Sequence, residues 1–300
     1  MVSTQEPISA AGLTGSVNQT TININREFHT EESSTYWLPK DDDEQKRLVG
    51  QHFGLKELCE GNVRSNVTKA LDFEKGISIL DVGCGSGVWI MDMINDYPNC
   101  TYHGCDIVNA TSKFLNANQF TFSYGNVVKG LPYADNTFDF VHMRLLILAL
   151  RKEEWPIAIK EVIRVVKPGG MLQLTEAHLK LPDDTSCAYY KLVSAFKTIA
   201  HSKGQDMDIA KELEDMLSVN RNVSILQSEC RWCRSNSGTL AAKKLIWDGI
   251  EIAKSTMSSI KPLLGVDSEE SALKFLDDLN YCLTHTECYF RARSVTAQKF

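Results

Sequence analysis

The chain has 300 residues, 43% of them apolar and 23% charged, and a formal net charge of −6. That is ample apolar material for a large buried core, and the acidic balance leaves no overall basic footprint for nucleic acid. The longest apolar run, Leu145 to Leu150, is too short to cross a bilayer, and the polar start MVSTQEPISA has neither the basic nor the apolar region of a secretory signal. The expected setting is therefore soluble, cytoplasmic or nuclear, with no membrane partner. Nine scattered cysteines, an odd number, read as buried free thiols rather than a disulfide framework. Cys230 and Cys233 form a lone CRWC pair with no second pair to complete a zinc site, so no metal is expected.

Residues 1–34 are rich in Ser, Thr, Asn and Gln without a sustained apolar period and read as a disordered tail; residues 35–300 read as a single domain. After Pro39, the segment DDDEQKRLVGQHFGLKELCEG has acids in its first turn, Leu48, His52, Leu55 and Cys59 at helical spacing, and Gly61 as a stop. From Ile77 strands and helices alternate. A strand through Val82 is followed by a helix over about 88–95, a strand CTYHGCD ending at Asp106, a short helix at 112–118 and a strand FTFSYG. Then come a strand TFDFVHM, a helix EEWPIAIKEVIRVV and a strand GGMLQLTEA. This alternation predicts an α/β fold with a doubly wound, mostly parallel sheet, whose ligand sits at the carboxyl ends of the strands.

Beyond His178 the order changes to helices in SCAYYKLVSAFKTIAHSKG, MDIAKELEDMLSV, TLAAKKLIWDGIEIAKSTM and SEESALKFLDDLNYCL. Two extended stretches, NVSILQSECRW and ECYFRARSVTAQ, interrupt or follow them; the second is expected to pair at or near the sheet edge. The helices have no place in the strand series. They are assigned to a cap over the ligand end, mainly in 179–220 and 238–284.

The stretch ILDVGCGSG, Ile79 to Gly87, places glycines at alternate positions where a core strand ends, which calls for a tight turn or a close backbone approach to a ligand. A dinucleotide fingerprint needs G-x-G-x-x-G, and Val88 stands where its third glycine belongs, so NAD or FAD is disfavoured. Asp106 lies about twenty residues on, at a strand end, where a carboxylate accepts hydrogen bonds from a ribose diol. Asp81 is positioned to orient the turn and to face an ammonium group, or to serve the turn alone.

With these residues in place the segment resembles motif I of class I S-adenosylmethionine-dependent methyltransferases. CDIV resembles the acidic end of that family's second strand, YGNVVKGLPYADNTFDFVHMR its adenine-contacting segment and fourth strand, and VIRVVKPGGMLQLTE its turn into the fifth. The likeness covers roughly Ile77 to Ala177. It implies a seven-stranded Rossmann-like sheet with an antiparallel C-terminal strand, and S-adenosyl-L-methionine as cofactor. The implied cofactor contacts are Asp81, Gly83, Cys84, Gly85, Gly87, Asp106, Ile107, Gly125, Asn126, Val127 and Met143. Many relatives carry Asp where this chain has Asn126; an amide still supplies an acceptor for the adenine amino group. The segment YWLPKDDDEQKRLVGQH further resembles the entry segment of fungal LaeA-like methyltransferases, which implies that Tyr36 and Trp37 close over the cofactor.

Methyl transfer from a sulfonium requires positioning of the acceptor and exclusion of water, with a general base where the acceptor is a hydroxyl or amine. His142, Glu176 and His178 follow the fourth and fifth strands and are the candidate catalytic groups, His178 foremost; each also fits a structural role. Arg144 is read as an anchor for an acidic substrate or as a helix contact, and Tyr189, Tyr190, Trp247 and Tyr281 as cap aromatics or core. The leading expectation is methylation of an oxygen or nitrogen of a small-molecule acceptor. The alternatives are a LaeA-like protein methyltransferase or regulator of secondary metabolism, and a non-catalytic cofactor-binding partner subunit. No specific nucleic-acid partner is expected, and the oligomeric state is left open.

Overall fold

Ile79, Leu80, Asp81 and Val82 are all buried, as a strand covered on both faces requires. This strand, β1 (Ser78–Val82), lies in the middle of the sheet, parallel to β2 (Thr101–Asp106) on one side and β4 (Phe138–Arg144) on the other. The computed structural model describes residues 26–31, 34–111 and 118–300. Most of the expected tail, and the short helix expected at 112–118 apart from its last residue, fall outside the described residues.

The remaining elements, in chain order, are α1 (Asp42–Cys59), α2 (Ser65–Ala70), α3 (Val88–Asp96), β3 (Phe120–Tyr124), α4 (Trp155–Val165), β5 (Val166–Ala177), α5 (Ala188–Ser202), α6 (Leu213–Ser218), β6 (Val223–Arg234), α7 (Leu240–Leu264), α8 (Glu269–His285) and β7 (Tyr289–Lys299). The strands run in the order β3-β2-β1-β4-β5-β7-β6. Neighbours from β3 to β5 are parallel, and β7 enters antiparallel to both β5 and β6. The seven-stranded doubly wound sheet with its antiparallel C-terminal strand is thus as the sequence implies. Among the described residues no helix is long and apolar enough to cross a membrane.

Three details differ from expectation. MDIAKELEDMLSV is not one helix but a short 3-10 turn, Ile209–Lys211, followed by α6, and α6 packs on β6 and β7 rather than in the cap. α7 runs past Met257 to Leu264, with Pro262 in its last turns. Chain that was read as tail also takes part in the fold, since Arg26 donates to both oxygens of Asp41 at 2.6 and 2.7 Å, and Asp41 in turn caps α1 through Glu44 N. The Cys230 and Cys233 side chains are three residues apart on β6 and so leave opposite faces of the strand.

The cap helix α7 is held to α1 by a charged contact. On α1, Arg47 is 1% exposed and donates to both carboxylate oxygens of Glu44 (2.6 and 3.0 Å), while its Nη1 donates to Asp248 of α7 at 2.7 Å. Gln51 completes the cluster by donating to the other oxygen of Asp248. Beside it the two helices approach closely at Gly50, where an added Cβ would lie 2.2 Å from the ring of Trp247. Trp247 is therefore a helix-packing residue.

Replacing Arg47 by Ala leaves Glu44 and Asp248 as uncompensated buried charges, and the expected loss is about 3–5 kcal/mol. Lys46, whose pair with Asp43 is solvent-exposed, serves as the control: Lys46→Ala is expected to cost less than about 1 kcal/mol. Denaturant unfolding of the two variants tests this, and equal losses would refute the role given to Arg47.

Candidate functional site

Leaving β1, the chain must turn out of a buried strand and into α3 within five residues. It does so through left-handed glycines, with φ of +69° at Gly83, +50° at Gly85 and +74° at Gly87. Gly83 N and Cys84 N both donate to Cys105 O, which ties the turn to the end of β2. Gly85 N donates to Asp106 Oδ2 at 2.9 Å and Val108 N to Asp106 Oδ1 at 3.2 Å. Burial raises the pKa of Asp106, and these amide donors oppose the shift. A Cβ added at Gly85 would meet nothing within 4 Å, because this position faces an open cavity.

The cavity, of about 380 Å³, lies over the carboxyl ends of β1, β2 and β4. Its other walls come from the strap at His29 to Lys40, from α1, from the Leu145–Leu150 loop after β4, from α5 and α7, and from the start of β7. Of the expected cofactor residues, Tyr36, Asp81, Gly83, Cys84, Gly85, Asp106, Ile107, Gly125, Asn126 and Val127 line it. Asn126 uses its Oδ1 to accept from Val128 N, which shapes its own loop. Burial raises the Tyr36 pKa, so its phenol stays neutral, and His29 stacks on its ring at 6.0 Å.

Trp37, Gly87 and Met143 do not line the cavity. The Trp37 ring is buried against Phe196, and its Nε1 donates to Gln205 Oε1 at 3.3 Å. Gln205 Nε2 donates in turn to Leu148 O and Thr35 O, so this buried amide pins the strap to the β4 loop. Gly87 is the N-cap of α3, and the Met143 side chain belongs to the main core beneath the cavity.

None of the three candidate catalytic groups lines the cavity either. His142 is buried, with its ring stacked on Trp89 at 4.0 Å and its Nδ1 donating to Asp81 Oδ1 at 2.8 Å; burial lowers its pKa and keeps the ring neutral. It orients Asp81. Glu176, also buried, accepts from Leu146 N and Ile147 N, and so holds the cavity loop in which Leu145 has a φ of +55°. His178 lies at the end of β5 with its Nδ1 3.3 Å from Cys230 Sγ. His142 and Glu176 lie within the last three residues of β4 and β5 rather than after them, only His178 follows its strand, and pleat direction and hydrogen bonding turn the side chains into the scaffold.

Tyr189 and Arg144 do line the cavity, whereas Tyr190, Trp247 and Tyr281 do not; Tyr281 is exposed and stacks on His285. Arg144 Nη2 donates to His52 Nδ1 at 2.9 Å, and His52 Nε2 donates to Asp92. This requires neutral His52, consistent with burial pushing its pKa down to about 4. Sequence reading missed Arg47, Gln51, Asp248, Gln205 and Arg291. Arg47 falls beside Leu48 in the helical stripe that faces inward, which was a readable signal, but its partner Asp248 lies 201 residues away.

Comparison with known proteins adds family information. Residues 79–170 match the family model described as a methyltransferase domain. The secondary metabolism regulator laeA of Coprinopsis cinerea is 27% identical over 160 residues, covering 53% of this chain and 39% of the relative. Methyltransferase grgD of a Penicillium species is 27% identical over 154 residues (48% and 53%), and methyltransferase pytC of Aspergillus terreus is 26% identical over 215 residues (69% and 63%). The match thus spans less than two thirds of the length of each of these curated relatives.

Burial pushes the Glu176 pKa up to about 8 from 4.5, against the pull of the loop amides. A carboxyl whose folded pKa is raised stabilises the fold below pH 4.5, and that contribution is lost as pH rises through about 8. The stability difference between wild type and Glu176→Gln is therefore expected to be most favourable to wild type near pH 4.5 and to shrink steadily towards pH 8. Thermal melts of both proteins across that range test it; a constant difference would mean that Glu176 does not titrate there.

Proposed function

We propose that the chain is a class I S-adenosylmethionine-dependent methyltransferase and, on that premise, that it methylates an oxygen or nitrogen of a small molecule held beneath its helical cap. The observation that carries this reading is the left-handed glycine turn whose Gly85 amide is held by the Asp106 carboxylate at the cavity edge. The residues fit the cofactor: a bare backbone faces open space, with acceptors on either side of it. Asp106 is placed for a ribose diol, Asn126 and Val127 for adenine, and Asp81 for the ammonium of the amino-acid part. Arg144 follows Met143, the register partner of Val82, and so stands opposite Gly83, where it suits the carboxylate of that same part.

Bound S-adenosylmethionine supplies an electrophilic methyl on its sulfonium, open to in-line displacement. The protein's share is to position the acceptor and keep water out, which the apolar wall of Leu145, Leu146, Leu192, Val193 and Phe196 supports. Asp248 is the wall carboxylate on the cap side, and burial raises its proton affinity. We assign it to receiving the proton released by an amine or hydroxyl acceptor. A LaeA-like role on a protein substrate is the alternative; a cavity roofed by the strap, α5 and α7 favours a small acceptor.

Calorimetric titration with S-adenosylmethionine and, separately, NADH tests the premise. Saturable binding of the first and none of the second is expected. Asp106→Ala and Gly85→Ala are each expected to weaken binding tenfold or more, the latter because its Cβ would enter the ligand space at a strained φ. Unchanged affinity in folded Gly85→Ala would sink the placement.

A further inference from the structure

Among the described residues, every arginine except Arg144, Arg221 and Arg291 has a carboxylate within ion-pair distance. Arg221 is exposed to solvent. The other two both line the cavity, half-buried, where a guanidinium without a carboxylate partner is open to a ligand that supplies the counter-charge. Arg144 faces the glycine turn and is accounted for by the amino-acid carboxylate of the cofactor. Arg291 is not.

Register separates the two. Arg144 pairs with Thr175, Thr175 with Ser294, and Arg291 lies three residues beyond Ser294 on β7. Their backbones therefore stand about 10 Å apart across the sheet and about 10 Å along it. Arg291, an odd number of residues from Ser294, also leaves the opposite face of the sheet from Arg144, so the two guanidiniums meet different ligand groups. At Arg291 the backbone carbonyl accepts from His178 N at 3.0 Å, the guanidinium lies 5.1 Å over the Tyr289 ring, and the buried Nε has no hydrogen-bond partner among the described residues. Tyr189 is buried with its ring 6.3 Å from that of Phe290, the strand neighbour of Arg291, and shows no hydrogen bond from its hydroxyl among the described residues; Phe290 and Leu179 supply apolar surface.

We propose that the acceptor is an aromatic or other apolar carboxylic acid, whose carboxylate is anchored by Arg291 with the Tyr189 hydroxyl as a second donor. A planar guanidinium offers paired N–H donors that match a carboxylate, and burial strengthens the pair. The apolar remainder of this end of the cavity holds the carbon skeleton. This inference rests on the methyltransferase reading of the same cavity.

The test uses the full chain saturated with S-adenosylhomocysteine, titrated with two matched pairs: indole-3-acetate against indole-3-acetamide, and cinnamate against cinnamamide. At least one acid is expected to bind tenfold or more tighter than its amide. Arg291→Gln is expected to abolish that preference while leaving S-adenosylhomocysteine affinity within twofold, Arg291→Lys to keep part of it, and Tyr189→Phe to weaken the acid several-fold. Arg144→Gln is expected to do the reverse, weakening S-adenosylhomocysteine and sparing the acid preference. Equal response to acid and amide in both pairs, including no response, overturns the proposal, as does a preference that survives Arg291→Gln. Tighter binding of phenyl phosphate than of either acid also overturns the carboxylate assignment. Failure of wild type to bind S-adenosylhomocysteine overturns the methyltransferase reading instead, and the acid preference is then read on the ligand-free protein.

Discussion

A guanidinium shared between two helices that are far apart in sequence decides whether the cavity has a roof. Arg47 sits between Glu44 on its own helix and Asp248 on α7, with Gln51 closing the set. Buried ion pairs of this kind contribute little net stability compared with well-packed apolar groups, because desolvation offsets most of the attraction. What they impose is geometry: α1 and α7 meet in one register, with Trp247 against the bare backbone of Gly50. An apolar contact at the same place would tolerate sliding or would fill the space below. The polar cluster holds the cap over the strand ends and leaves a cavity lined by Asp248 and Gln51.

The same logic runs through the layer beneath α1, where imidazoles serve as neutral connectors. His142 joins Asp81 to the Trp89 face, and His52 joins Arg144 to Asp92, each as one donor or one donor and one acceptor. Burial lowers the pKa of both rings, so neither brings a charge into the layer. Glu176 does comparable work on the opposite side by receiving loop amides. Groups that carry reactive chemistry in isolation are here consumed in orienting others. The cavity face is left to backbone, carboxylates, guanidiniums and mostly apolar side chains, which suits the proposed methyl transfer, whose main demands are alignment and dryness.

The sheet and the glycine turn at its carboxyl end were legible because their determinants are local. A strand, a glycine turn and a helix follow one another between Ser78 and Asp96, and Asp106 ends the next strand; each step obeys a short-range rule. The cap was legible only as a set of helices. Which of their faces meets the cavity depends on pairs such as Arg47 with Asp248, or Trp37 with Gln205 across 168 residues, and no local pattern encodes those. Side-chain direction at strand ends failed for a related reason. His142 and Arg144 share one face of β4, yet one is captured by Asp81 and the other reaches the cavity, a difference set by neighbouring strands and helices rather than by spacing.

Charge distribution links these parts. Among the described residues, a chain with a net charge of −6 pairs its arginines with carboxylates almost everywhere, then leaves two without a carboxylate partner on the wall of one cavity. In water such an imbalance is screened within about 8–10 Å, but within low-dielectric walls it persists and acts on whatever enters. Asp81 and Asp106 stand at the strand ends beside Arg144, so that end of the cavity carries both signs of charge, as the zwitterionic cofactor proposed for it requires. Arg291 stands apart with aromatic and aliphatic neighbours and offers only one. On the proposed reading, a cavity that is mixed in sign at one end and singly cationic at the other sorts a zwitterionic cofactor from an acidic acceptor before either is held by shape. That asymmetry is fixed by the entry of β7 beside β5, because it is this antiparallel strand that carries Arg291 into the wall.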